Sequence, residues 1–277
     1  MDTESGKFGV RPLIPRLETN PLQFLSFSLL GFQRVLLWLR AEVHKEMQAT
    51  EHKRRQIKLE DYKREQARIS RRKLYRTSAF YTAYAMVVLV LTLRSKHPII
   101  GLVFFVVGMA SYTLIEYVAH RYMFHHQFED KPGIDHYLHR IFDSVHNGHH
   151  ANPLDGEHIN GRLRDLMPLF IVAAPLSYIA PIYTLPIMLA GNVQGYILTE
   201  WIHHSMHFYK LRDPYFRYAR RHHFYHHSPR GIDQGFGVTN GFWDIVFKSR
   251  YPVEVRWALH HRAKGKRAPA PQVVRTA

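Results

Sequence analysis

The chain contains no cysteine. Disulfides, zinc sites built on thiolates, cysteine-ligated iron–sulfur clusters and thiol nucleophiles are therefore excluded together. Acidic residues are also scarce, with 22 Asp and Glu against 38 Lys and Arg for a formal charge of +16 at pH 7. Such a balance points to acidic partners, either nucleic acid or an anionic membrane surface. Neither the HExxH motif of zinc proteases nor its inverted form occurs. Glu-x-x-His, the pairing on which carboxylate-bridged di-iron bundles depend, is represented by Glu200 with His203, and Asp143 with His146 is a looser match. Histidine, by contrast, is abundant. There are 21, and 16 of them fall between His120 and His227, so the excess is local and needs a local explanation.

The 277 residues allow one or two domains and a sizeable core, but the chain-wide mean hydropathy hides very unlike segments. Residues 1–20 read as an irregular leader. Residues 22–40 are rich in Leu, Phe and Trp with Arg34 and Arg40 as the only charges, which predicts an amphipathic helix lying on a bilayer, with a membrane span as the alternative. From 42 to 76 the chain carries 12 Lys or Arg and 6 Asp or Glu with no Gly or Pro, the pattern of a solvated helix. Because the two signs are interspersed and only Tyr62 and Tyr75 are aromatic, this stretch faces an anionic lipid surface rather than nucleic acid.

Two long apolar runs follow, 79–93 and 98–118, separated only by Arg94-Ser95-Lys96-His97, and they predict a transmembrane hairpin. A second hairpin is expected from Pro168 to Trp201, where Glu200 is the one charged side chain. Each of its arms has about 17 residues, roughly 25 Å of helix, so the spans should be short, kinked or shallow. Lys and Arg number 17 over residues 1–78, 5 over 119–167 and 14 over 203–277, but only two in the 94–97 loop. The positive-inside rule then places both termini and the histidine clusters in the cytosol, under a bacterial inner membrane or an endoplasmic reticulum. The expected architecture is all-α and multi-pass: about four transmembrane helices in two hairpins carry a cytosolic histidine-rich helical cap. Its expected parts are residues 1–78 (leader, interfacial helix and charged helix), 79–250 (membrane-embedded metal domain) and 251–277 (basic tail).

The histidines form two matching halves: His120, His125, His146, His149 and His150, then His203, His207, His223, His226 and His227. In each half an apolar helix ends in a spaced pair and an HxxHH follows. Positions i, i+3 and i+4 share a helix face, so each HxxHH is expected to point into one pocket. His120 and His125 stand about 140° apart on an ideal helix, so they should reach different metals or sit where the helix distorts. Imidazole suits iron, zinc, copper or nickel, and ten of them match two ions rather than one. Glu116, Asp155 and Glu200 flank the clusters and are candidates for orienting the imidazoles from outside. Arg121, Arg217, Arg220 and Arg221 are candidates for holding a lipid head group.

The strings TLIEYVAHRYMFHH (113–126), HNGHHANPLD (146–155) and HHFYHH (222–227), with the His203 and His207 pair and GFGVTNGFWDIVF (235–247), resemble the fatty acid hydroxylase and sterol desaturase superfamily, and most closely its fatty acid 2-hydroxylase branch. The resemblance covers about Phe80 to Phe247. It implies a membrane-bound non-haem di-iron oxygenase whose ten histidines hold two iron ions, with zinc able to replace them in purified protein. It further implies O2 as co-substrate and the acyl chain of a fatty acid or ceramide-type lipid from the bilayer as substrate, oxidised at C2. Where relatives are expected to carry a Tyr-Asp pair before the third cluster, this chain reads Leu198-Thr199-Glu200. No HPGG haem-binding segment precedes the membrane region, so a separate electron donor, cytochrome b5-like or ferredoxin-like, is expected. Two alternatives stand beside this reading: desaturation or hydroxylation of a sterol or carotenoid, and a membrane protein that binds metal without catalysis.

Overall fold

The computed structural model describes residues 21–261, and every regular element among them is helical. The leader expected over residues 1–20 and the tail beyond residue 261 lie outside the described residues.

The first element, α1 (Pro21–Leu93), joins into one helix the segments read separately as interfacial, charged and spanning. Between Gly31 and Leu93 the sequence holds neither Gly nor Pro, so nothing interrupts the backbone ladder. The chain divides into two units, Met1–Leu59 and Glu60–Ala277. In the first, the described charged side chains are exposed and pair along the helix, as in Lys45 with Glu42 and Arg55 with Glu51.

The second unit contains the rest of α1 and all later helices. Pro98 opens α2 (Pro98–Ala119) at its first turn, where its missing N–H costs nothing. The sequence then continues through a π-helical turn, His120–Phe124, to α3 (Ile134–Leu138), a second π-helical turn, His139–Asp143, and α4 (Ser144–Ala151). After these come α5 (Leu163–Ser177), α6 (Leu185–Phe208), α7 (Pro214–His226), α8 (Phe242–Val246) and α9 (Val253–His261).

The main axis of this unit is α2 packed along α6. A Cβ at Gly108 would collide with the Met188 carbonyl, and one at Gly191 with the Phe105 carbonyl, so these glycines let the two backbones touch. Around them lie Ala85, Val88, Ile187 and Ala190, with Phe104 and Phe105 packed alongside. Nearer the histidines, Tyr81, Tyr196 and Ile197 form a second cluster with Tyr112, Phe170 and Trp201.

Two described helices are long and apolar enough to cross a membrane, within Arg40–Leu93 and Pro98–Phe124. Their outward apolar residues, including Val87, Ile99, Val103 and Val106, are exposed. The second hairpin forms from α5 and α6, but neither arm is a span by length and composition. α5 has 15 residues, about 22 Å of helix, with Pro168 and Pro175 inside it. α6 has 24 residues but carries Asn192, Gln194 and Glu200 on its course.

Candidate metal centre

All ten histidines singled out by spacing come together, but the grouping differs from the two halves of the sequence. One group is His120, His125, His146, His150 and His226, and the other is His149, His203, His207, His223 and His227. Within each group the nitrogens that could act as donors lie within 4.8 Å of one another. The expectation that each HxxHH fills one pocket is therefore corrected: His149 and His226 have exchanged places. Helical geometry gives the reason. Residues i and i+4 are about 40° apart, whereas i+3 lies about 60° to the other side, so a helix running between two centres sends its i+3 residue to the second one. Both α4 and α7 do this. The rings of His150 and His227 stack at 4.2 Å between centroids where the two groups meet.

His120 and His125 do share a group, and the cause is the π-helical turn His120–Phe124. Hydrogen bonds from i to i+5 bring residues five apart onto one face, which a regular α-helix does not.

The imidazoles are buried or half-buried, and their chemistry follows from that. Burial first, and then neighbouring rings, lowers His125 to about 4, His150 to about 3 and His227 to about 2. His149 and His223 are held well below the usual histidine range by the same causes in the same order. At neutral pH these rings are uncharged, each with one nitrogen lone pair to offer. Backbone carbonyls select which nitrogen that is. His120 Nδ1 donates to the Phe236 carbonyl at 2.5 Å and His226 Nδ1 to the Gln234 carbonyl at 2.9 Å, leaving Nε2 as the donor atom in both.

The Nε2 atoms then converge on one another. In the first group His125 Nε2 is 3.1 Å from those of both His146 and His226. In the second, His203, His207 and His223 form a triangle of 3.2, 2.8 and 3.0 Å, with His149 at 3.1 Å from His203 and His227 at 3.0 Å from His223. Lone pairs this close repel unless a cation lies between them. Two imidazole nitrogens at right angles around a metal, each about 2.1 Å from it, stand ~3.0 Å apart. The donor set fits a pair of imidazole-bound metal ions in both chemistry and spacing.

The three carboxylates nominated as orienting groups touch no imidazole of either group. Asp155 accepts from His158 Nδ1 at 2.7 Å, and Glu200 accepts from Asn160 Nδ2 at 2.6 Å. Glu116 Oε1 accepts from Val238 N at 2.6 Å, and its Oε2 accepts from Thr239 Oγ1 at 3.0 Å and Thr199 Oγ1 at 3.4 Å. Glu116 thus holds the loop after α7 rather than a ligand. Asp244 grips the same loop, accepting from Phe236 N at 2.9 Å, Gly237 N at 3.1 Å and Ser249 Oγ at 2.7 Å. This fixes the carbonyl that orients His120, a connection that spacing does not reveal. The signal present in the sequence was the run GFGVTNGFWD, in which Gly235 adopts φ 68° against Tyr251.

Of the arginines nominated for a head group, Arg121 Nη1 donates to Tyr117 Oη and the Phe247 carbonyl, and Arg220 Nη1 to the Tyr209 carbonyl. The other cluster-flanking histidines have their own roles: His204 Nδ1 meets Ser70 Oγ at 2.8 Å, and His139 pairs with Asp143 at 3.1 Å.

Residues 105–249 match the family model described as fatty acid hydroxylase. Among curated proteins, the dihydroceramide fatty acyl 2-hydroxylase FAH2 of Arabidopsis thaliana is 33% identical over 158 residues, 54% of this chain and 61% of its own length. The fatty acid 2-hydroxylase of Rattus norvegicus is 31% identical over 154 residues, 54% of this chain and 40% of its own. The ceramide very long chain fatty acid hydroxylase SCS7 of Saccharomyces cerevisiae is 32% identical over 162 residues, 56% of this chain and 40% of its own. A solved structure titled full length scs7p, with only the hydroxylase domain visible, superposes with a TM-score of 0.54 at 27% identity, covering 65% of this chain and 67% of that one.

Proposed function

Because the chain belongs to the fatty acid hydroxylase family, we propose that it is a membrane-bound, iron-dependent monooxygenase that hydroxylates the acyl chain of a fatty acid or ceramide-type lipid at C2. The observation that carries this reading is the pair of five-histidine groups with converging Nε2 atoms, held where the apolar helices α2 and α6 end against the polar helices α4 and α7. The relatives' names, all 2-hydroxylases or ceramide hydroxylases among those above, supply the substrate class and position.

In the proposed topology α1 and α2 cross the bilayer and α5 with α6 enter it as a shallower hairpin. The positively charged flanks, both histidine groups and both termini then lie on the cytosolic side. Two iron ions held by the histidine groups and reduced by an external donor would supply oxidation of an unactivated C–H bond by O2, work no amino-acid side chain performs. One oxygen atom enters the C–H bond and the other leaves as water, with two electrons delivered singly by a separate donor, cytochrome b5-like or ferredoxin-like, and two protons from solvent.

The chain's own residues do the rest. His125, His149, His150, His223 and His227 stay neutral at working pH because burial opposes their protonation, so they are ready to ligate without shedding protons. The carbonyls of Phe236 and Gln234 fix two ring orientations, and Asp244 with Glu116 fixes the loop that carries them. Phe124 and Phe236 pack rings against His146 and His125, at 5.2 and 5.3 Å between centroids, which covers one side of each imidazole with apolar surface. A lipid in the membrane approaches a site of this placement laterally, with its chain never leaving an apolar surrounding.

The test compares lipids of host cells carrying the intact chain with those carrying a His146→Ala, His149→Ala, His150→Ala version. Acyl species that gain one oxygen only with the intact chain, with fragmentation placing it at C2, support the proposal. Species that lose two hydrogens indicate a desaturase, and unchanged lipids in an iron-replete host contradict acyl oxidation.

A further inference from the structure

A cavity of about 890 Å³ opens where the charged part of α1 gives way to its apolar part, between α1, the loop around Glu157 and the start of α5. Five cationic side chains line it: Arg72, Lys73, Arg76, Arg162 and Arg164. The single acid among them, Glu157, stands 3.8 Å from Lys73 Nζ and 3.9 Å from Arg162, and Arg164 lies 3.6 Å from Asp165. Arg72 and Arg76 form no ion pair among the described residues and are exposed at the cavity wall. The positive excess therefore belongs to the cavity itself.

Its far wall is apolar, with Leu163 and Met167 on the first turns of α5. Beyond it Phe170 packs on Phe80 and Tyr84 at 5.6 and 4.9 Å between centroids. Aromatic residues with polar tips mark this level of the molecule: Tyr75 lies against Trp201 at 5.3 Å, and Trp201 Nε1 donates to Ser78 Oγ at 3.0 Å. Tyr and Trp with one wet and one dry end are the signature of a membrane–water boundary. A site that is cationic on one wall and apolar on the other, at that level, fits an amphiphile with an anionic head. The arginine forks suit the planar oxygen pairs of a phosphate better than a point cation would.

We propose that this cavity binds the phosphate of an anionic phospholipid, with the acyl chains lying along α1 and α5 toward Phe170. The inference rests on the membrane reading above but not on the chemistry assigned to the histidines. A bound lipid here would tie α1 to α5 and to the Glu157 loop, whose next residues contact the network of Asn160 and Glu200 beside His203.

The test uses the full chain delivered to vesicles of phosphatidylcholine with or without phosphatidylglycerol, floated, extracted in mild detergent and weighed intact so that retained lipids appear as mass adducts. The expected result is retention of phosphatidylglycerol over phosphatidylcholine on the order of tenfold. That preference should fall to near parity in Arg72→Ala/Arg76→Ala and be weakened in Arg164→Ala. It should persist in Arg54→Ala/Arg55→Ala, which removes the same charge from α1 outside the cavity, and should survive excess inorganic phosphate. Floating protein with no preference, or equal loss in the Arg54/Arg55 control, overturns the site alone. Displacement by inorganic phosphate overturns a lipid as the source of the anion. Failure to float with any vesicle overturns the membrane reading as well.

Discussion

The two histidine groups have the same size and ligand chemistry but are built differently. The first gathers His120 and His125 from the end of α2 and its π-helical turn, and two of its rings are steered by carbonyls of the loop after α7. The second draws on α4, α6 and α7, with His203 and His207 one turn apart on α6 and facing the Ile159 and Pro153 backbone of the loop between α4 and α5. The first centre therefore depends on the loop after α7 and the carboxylates that pin it, and the second on α6 and the loop between α4 and α5. The exchange of His149 and His226 joins them, because α4 and α7 each serve both.

The largest effects should come from breaking that exchange. His226→Ala and His149→Ala are each expected to remove about one metal ion of two per chain and to reduce lipid hydroxylation to background, while the protein still reaches the membrane. Metal analysis of the purified variants should count one ion per chain in each, the second group staying filled in His226→Ala and the first in His149→Ala. Loss of both ions in either variant would show one coupled centre instead of two.

A weaker blow should discriminate between the groups. Asp244→Ala frees the amides of Phe236 and Gly237 and so loosens the carbonyl on His120. We expect metal affinity at the first group to fall about 10- to 100-fold, in the range seen when groups behind a ligand are removed, with the second group unaffected. Equal loss at both groups would remove the loop from the account.

Acid should act on both groups of the metal-free protein together. Unfolded histidines take up protons near 6.5, whereas His125 of the first group and His203 of the second do so when folded only at about 4 and about 3. Between those values the unfolded chain binds more protons, so stability is complete above about 6.5 and falls as pH drops toward the folded values. Thermal unfolding of metal-free protein across that range should show Tm declining with pH, with bound metal protecting it at the upper end. A Tm flat from neutral pH down to 4 would contradict the neutral, buried state of these rings.

The smallest effect is expected at Asp155, whose carboxylate serves His158 and no imidazole of either group. Asp155→Asn should leave turnover within about twofold, as surface changes away from named features do.

How far the sequence reached follows the physics of each feature. Spacing and clustering were enough to single out ten histidines that the fold gathers into two groups, because helical periodicity is written in residue numbers. Their division between the two groups was not, since it depends on where α4 and α7 lie relative to both centres. The π-helical turn that aligns His120 with His125 could be named only as a distortion. Glu116, Asp155 and Glu200 were nominated by proximity in sequence, but the groups that steer His120 and His226 are backbone carbonyls, which no residue type announces. The charged and apolar parts of α1 were legible as separate textures, and their fusion followed from the lack of any breaking residue.

The most direct test supplies purified, iron-loaded protein in a bilayer with a ceramide or fatty acid, a reductant and 18O-labelled O2, and reads the product by mass spectrometry. The account predicts a hydroxyl at C2 that carries the 18O label and is absent from the His149→Ala and His226→Ala proteins. Product with unlabelled oxygen, or labelled product undiminished in those variants, would contradict it.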